Sequence, residues 1–206
     1  SGIGCLGFGL EHAGFQVVQR CDSNARMLEL ASQIHSAPTT VGDVCNDSLL
    51  TVLGETSFGS IAAGVACQPN SRLGDRRQEC DPRSLTLPGV LRLGFLNRCG
   101  IIIIECVDAA GTCPWVQGVL KAFTALTGYH IAQETLHLHQ TWPARRSRWW
   151  CILTHPCIGK VPWEPMPTCS PLPLVANLID QFLPCSAPEL AMLELDLYEL
   201  RRFDAV

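Results

Sequence analysis

The stretch GIIIIECV, Gly100 to Val107, constrains the fold more than any other part of this chain. Its four consecutive isoleucines are β-branched and place apolar side chains on both alternating faces. Such a run suits a strand covered on both sides, as in a sheet flanked by helices. Glu105 closes the run. An acid there is costly to bury without a partner or a purpose, so Glu105 is a first candidate functional residue.

The segments around it alternate in period. FQVVQRC (Phe15 to Cys21), GSIAAGV (Gly59 to Val65), YHIAQETLHLH (Tyr129 to His139) and SRWWCILTH (Ser147 to His155) read as strands. NARMLELASQI (Asn24 to Ile34), with Ser23 as its expected cap, and WVQGVLKAFTAL (Trp115 to Leu126) read as helices. Strands alternating with helices predict a doubly wound, mainly parallel α/β sheet. Prolines recur from Pro156 to Pro173, which reads as a linker. The last segment, residues 174–206, carries leucines at helical spacing behind a Ser186/Glu189 capping box; it also alternates as LELDLYEL, so a strand stays open.

Composition narrows the class. The chain has 206 residues, of which 47% are hydrophobic and 17% charged, enough for one domain with a sizeable core and too apolar for disorder. No apolar run reaches the roughly 20 residues of a membrane span, and no signal-peptide pattern opens the chain. The twelve cysteines include no C-x-x-C pair or His/Cys cluster with zinc spacing. They read as reduced, mostly buried thiols of an intracellular protein. A net charge of −4 argues against nucleic-acid binding on average, but a ligand feels the local field.

That local field is concentrated in GVACQPNSRLGDRRQECDPRS, Gly64 to Ser84, where Cys67 is followed by Arg72, Arg76, Arg77 and Arg83. Cys67 follows a strand, at the sheet edge where open α/β folds bind ligands, and nearby cations favour a thiolate. The plainer reading is a structural cysteine. At the N-terminus Gly2, Gly4, Gly7 and Gly9 crowd the start of a helix running to Ala13. Such a turn lets backbone N–H groups approach a cofactor; close packing of helix on strand explains it equally well. Asp22 and Asp43 each follow a strand, where a carboxylate can accept from ribose hydroxyls or an adenine amino group, or simply form a turn. Arg146 and Arg148 lie two apart at a strand start, on one side of the chain, or on a solvated basic edge.

Together these residues resemble the cytosine-C5 DNA methyltransferase family over Ser1 to His155. SGIG with its following glycines and AGF is similar to that family's cofactor loop, Asp22 to its ribose-binding acid, and GDV to its third motif. ACQPNSRLGDRRQECDPRS resembles its Pro-Cys-Gln nucleophile loop with a downstream Asp-x-Arg, ECV its Glu-Asn-Val, and PARRSR its Gln-x-Arg-x-Arg. Several motifs in order weigh more than any one of them. The sequence departs at Ala66, Asn70, Cys106 and Ala144, where the family carries Pro, an aromatic residue, Asn and Gln.

The resemblance implies a Rossmann-like, S-adenosylmethionine-dependent fold over residues 1–155, lacking its first strand because Ser1 falls inside the first motif. It implies a cofactor held by Ser1, Gly2, Ile3, Gly4, Asp22 and Asp43. Cys67 would be the nucleophile, with Glu105, Arg146 and Arg148 on the base and its sugar–phosphate. Gln68, Ser71, Arg72, Arg76, Arg77 and Arg83 would meet nucleic acid around a flipped-out cytosine. The implied partner is DNA, in the nucleus if the source is eukaryotic. A tRNA cytosine-C5 methyltransferase and a degenerate, non-catalytic binding relative are the alternatives.

Overall fold

The computed structural model describes residues 4–46, 49, 53, 58–69, 78–137 and 146–161. Among them the isoleucine run forms β4, Ile101–Val107, inside a four-stranded sheet with β3 (Ser60–Gly64), β5 (His130–His137) and β6 (Ser147–Thr154) in the order β3-β4-β6-β5. β3 and β4 are parallel, with Gly64 opposite Glu105. β6 is antiparallel to both β4 and β5, bringing Arg148 opposite Val107. A separate parallel pair joins β1 (Arg20–Asp22) to β2 (Thr39–Val41). The α/β class expected from the sequence holds. The sheet is mixed because β6 alone runs against the other three strands.

Alternation along β4 sets the core. Ile102, Ile104 and Cys106 are buried, while Ile101, Ile103, Glu105 and Val107 are half-buried on the other face. The buried set packs with Leu87, Val90 and Leu91 of α3 (Thr86–Leu96), Val116 and Leu120 of α4 (Pro114–Thr127), and Trp149, Cys151 and Leu153 of β6. α1 (Cys5–His12) and α2 (Ala25–Ile34) complete the described helices.

Two local expectations are corrected. Only Arg20–Asp22 of the expected strand Phe15 to Cys21 pairs, because β2 offers three partners and no more. Phe15 to Gln19 instead line a cleft. Asn24, not Ser23, caps α2: its side chain accepts from the Arg26 and Met27 amides at 3.1 and 3.4 Å. α3 was not legible, since its segment TLPGVLRLGFL holds Pro88, Gly89 and Gly94. Pro88 is tolerated because it lies in the first turn, where its missing N–H breaks no helical bond. The expected C-terminal helix and most of the proline-rich linker lie outside the described residues.

β1 uses one edge for β2, and β3 one edge for β4. Residues of both strands line a common cleft of about 510 Å³, together with Phe58 and Leu93. Edge strands beside an apolar cleft leave backbone groups and apolar surface open to water. Appending an apolar strand-forming segment of about 10 residues ahead of Ser1 should raise the thermal midpoint by roughly 5–10 °C, as a few kcal/mol of burial would in a domain of this size. Calorimetry showing one cooperative transition, unmoved by the extension, would contradict this.

Candidate active site

The acid that closes the isoleucine run has a partner. Glu105 Oε1 lies 2.7 Å from Arg148 Nε, and the two side chains are 24% and 27% exposed. Register produces the pairing: Glu105 sits opposite Trp150 and Val107 opposite Arg148, at the end of β4 where antiparallel β6 begins. On the other side Glu105 faces Gly64, where a Cβ would stand 3.4 Å from Oε2. The carboxylate is therefore fixed by an arginine and lies close against Gly64 of β3. Arg146 lies exposed just ahead of β6.

Cys67 follows β3 by three residues and is half-buried against the core. Its approach is anchored on both sides. The Val65 amide donates to the Glu105 carbonyl at 3.1 Å, and the Ala66 amide to Thr86 Oγ1 at 3.2 Å. The Cys106 thiol donates to the carbonyls of Val65 and Ala66 at 3.9 Å each. Burial pushes that thiol up to about 12, so it stays protonated near neutrality and acts only as a donor. Cys106 thus occupies the bracing position where the family carries Asn, through longer and weaker bonds. Pro69 is fully buried and ends the described part of the loop, with Gln68 exposed beside it.

Ser71, Arg72, Arg76 and Arg77 lie outside the described residues. Arg83 is described, and its guanidinium grips buried Asp81: Nε to Oδ1 at 2.9 Å and Nη2 to Oδ2 at 2.6 Å. Asp81 also caps the 3₁₀ turn Pro82–Leu85. The Asp-x-Arg motif is thereby a strut at the foot of the loop, although the Arg83 side chain remains 52% exposed. Thr86 was missed by sequence reasoning. Its hydroxyl accepts from Ala66 and donates to the Arg83 carbonyl at 2.8 Å, tying the Cys67 approach to that strut. A lone threonine at a helix start carries no signal that separates this role from capping.

The cleft collects the other candidates. Asp22 ends β1, Asp43 follows β2 by two residues, and both line the cleft with Leu6 and Gly7 of α1. The Gly42 amide donates to the Asp22 carbonyl at 3.0 Å, which joins the two turns. Each carboxylate also forms its own turn: Asp22 Oδ1 accepts from the Asn24 amide and Asp43 Oδ1 from the Cys45 amide, both at 2.9 Å. The turn-forming reading is therefore correct for both. Gly4 caps α1 with a left-handed φ of 94°, and no side chain among the described residues caps its first-turn amides, which suit an acceptor. Ser1, Gly2 and Ile3 lie outside the described residues.

The ten described cysteines are all free thiols, as expected. They are not mostly buried, however: Cys99, Cys106, Cys113 and Cys151 are, while Cys5, Cys45, Cys80 and Cys157 are exposed. No described helix is long and apolar enough to cross a membrane.

A glycine-rich helix start, two strand-end carboxylates, a strand-end cysteine and a Glu–Arg pair at the carboxyl ends of one α/β assembly define a class. The chain belongs to the C-5 cytosine-specific DNA methylase family, whose model matches residues 1–168. Among solved structures it is similar to the Dnmt2 methyltransferase of S. pombe, at 22% identity and a TM-score of 0.63, covering 79% of this chain and 49% of that one. Spodoptera frugiperda DNMT2 follows at 18% and 0.63, covering 81% and 51%. The Entamoeba histolytica methyltransferase EhMeth follows at 18% and 0.62, covering 75% and 50%. These likenesses establish the fold, and the chain spans about half the length of each. No curated protein matches it.

Proposed function

We propose that this chain carries the catalytic part of a DNA cytosine-C5 methyltransferase, with Cys67 as nucleophile. The observation that supports this best is the 2.7 Å Glu105–Arg148 pair, set one strand away from the anchored approach to Cys67. Cytosine C5 is too weak a nucleophile to take a methyl group unaided. Addition of the Cys67 thiolate across C6 makes C5 electron-rich, which splits one hard step into easier ones. Glu105 accepts from the exocyclic amine and faces ring N3, where charge develops. After methylation the C5 proton leaves, the S–C6 bond breaks, and the electron pair returns to Cys67. Arg148 holds Glu105, while Arg146, Arg83 and Gln68 would meet the base and its backbone.

The residues fit S-adenosylmethionine, which would supply the electrophilic methyl group. The open first turn of α1 suits its carboxylate, Asp22 its ribose hydroxyls and Asp43 its adenine amine. Asp22→Ala should weaken its binding by about 1.5–3 kcal/mol, the range of a hydrogen bond to a charged group. Equal affinity by calorimetry would remove Asp22 from the site. The free thiols suit a reducing, intracellular setting, nuclear in a eukaryote.

A second reading, a non-catalytic relative that binds the cofactor alone, is favoured by the long 3.9 Å bracing bonds from Cys106. Loose support can cost orders of magnitude in rate with the reacting groups intact. Labelled-methyl transfer to duplex DNA and to tRNA tests both readings. Transfer to DNA supports the proposal, and transfer to tRNA alone changes the substrate. Cofactor binding without transfer to either selects the second reading.

A further inference from the structure

Arg20 is only 3% exposed, although it opens a three-residue strand. Its Nη2 donates to Glu11 Oε1 at 2.9 Å and its Nη1 to the Gly4 carbonyl at 3.4 Å. His35, whose side chain is 5% exposed, places Nδ1 at 3.8 Å from the other Glu11 oxygen. The Arg20 Nε is buried with no hydrogen-bond partner among the described residues. A buried guanidinium with an orphaned N–H is poor value for stability, and an apolar side chain of similar volume is often as good or better.

What Arg20 does is join both ends of α1 to β1. Gly4 caps that helix and Glu11 lies in its last turn. The glycines are cut to fit: a Cβ on Gly7 would stand 2.2 Å from Arg20 Nη1, and one on Gly4 2.9 Å from Nη1 and 2.7 Å from His35 Cδ2. The bare Cα atoms of Gly4 and Gly7 thus leave the room that Arg20 and His35 fill, whatever the loop binds. Arg20 also lies two residues before Asp22, on the same strand and in the wall of the same cleft.

We propose that Arg20 is a positioning residue for the cofactor loop. By holding the Gly4 carbonyl and the Glu11 carboxylate, it fixes the open end of α1 against the carboxyl end of β1. It thereby sets affinity for S-adenosylmethionine without touching it. This rests on the cofactor reading given above.

The test compares Arg20→Met, Arg20→Lys and Glu11→Gln with the unaltered chain by calorimetry with S-adenosylmethionine, thermal midpoint, and amide hydrogen exchange. Arg20→Met should bind about 10-fold more weakly with little change in midpoint, the scale of one lost charge-assisted contact. Exchange should quicken over residues 4–10 and not in β3 or β4. Arg20→Lys, which keeps the charge, should recover part of the affinity. Glu11→Gln should fall between Arg20→Lys and Arg20→Met. Unchanged exchange over residues 4–10 in Arg20→Met overturns the proposal. So does faster exchange throughout the sheet with a fallen midpoint, which marks a purely structural role. If the unaltered chain binds no S-adenosylmethionine, the cofactor reading fails. The exchange pattern then still decides whether Arg20 clamps the loop.

Discussion

Cys67→Ser should lower methyl transfer by roughly 10³-fold or more, because a serine hydroxyl is scarcely ionised and a thiolate is intrinsically the better nucleophile. Among the described residues, no histidine is placed as a dedicated base for a hydroxyl at this position: His137 bonds Ser147 and His155 meets Tyr129 edge-on. The loss should fall on turnover, leaving cofactor affinity within about twofold, since position 67 lies outside the cleft lining. Cys157→Ser, an exposed thiol past the end of β6, should leave turnover unchanged. Steady-state rates of the two variants side by side check this. Comparable activity in Cys67→Ser would remove the covalent step.

Glu105→Gln carries the second large effect. Glutamine keeps the shape and can still accept from the exocyclic amine, but it cannot pass a proton to ring N3 as negative charge develops there on thiolate addition. The expected loss is about 10²–10⁴ in turnover, the range of a positioned acid–base group. The fold should be little disturbed, because the partly exposed Glu105–Arg148 pair contributes at most about 1 kcal/mol. A thermal midpoint close to that of the parent, with turnover lost, is the expected pair of readings. Turnover within threefold of the parent would place Glu105 among structural acids only.

The fold's outline was legible wherever pattern and register coincide. Four isoleucines in a row could hardly be anything but an inner strand, and the helix expected from Trp115 to Leu126 forms as α4, bounded by Pro114 at its start and Gly128 after it. Legibility failed where tertiary partners decide. FQVV has strand composition, but only Arg20–Asp22 finds a neighbour. TLPGVLRLGFL has poor helix propensity, yet Leu87, Val90 and Leu91 are buried against β4 and override it.

The site divides in the same way. Cys67, Glu105 and the Asp22/Asp43 turns follow strands and could be placed by counting from them. The Glu105–Arg148 bond needed the antiparallel register of β6, which no local pattern fixes. Arg20, Glu11 and His35 were invisible as a group because they meet from α1, β1 and the end of α2. Cys106 stood out in the sequence only as a departure from Asn, and its two long bonds to the Cys67 approach show both the replacement and its weakness.

The covalent step is open to direct observation. With S-adenosylmethionine present, DNA carrying 5-fluorocytosine should trap the protein, because fluorine at C5 blocks the elimination that normally releases the cysteine. Peptide mapping of the trapped complex is the most direct test. The adduct should lie on Cys67 alone and be absent from Cys67→Ser; an adduct on Cys80 or Cys106, or none on any cysteine, would contradict the assignment.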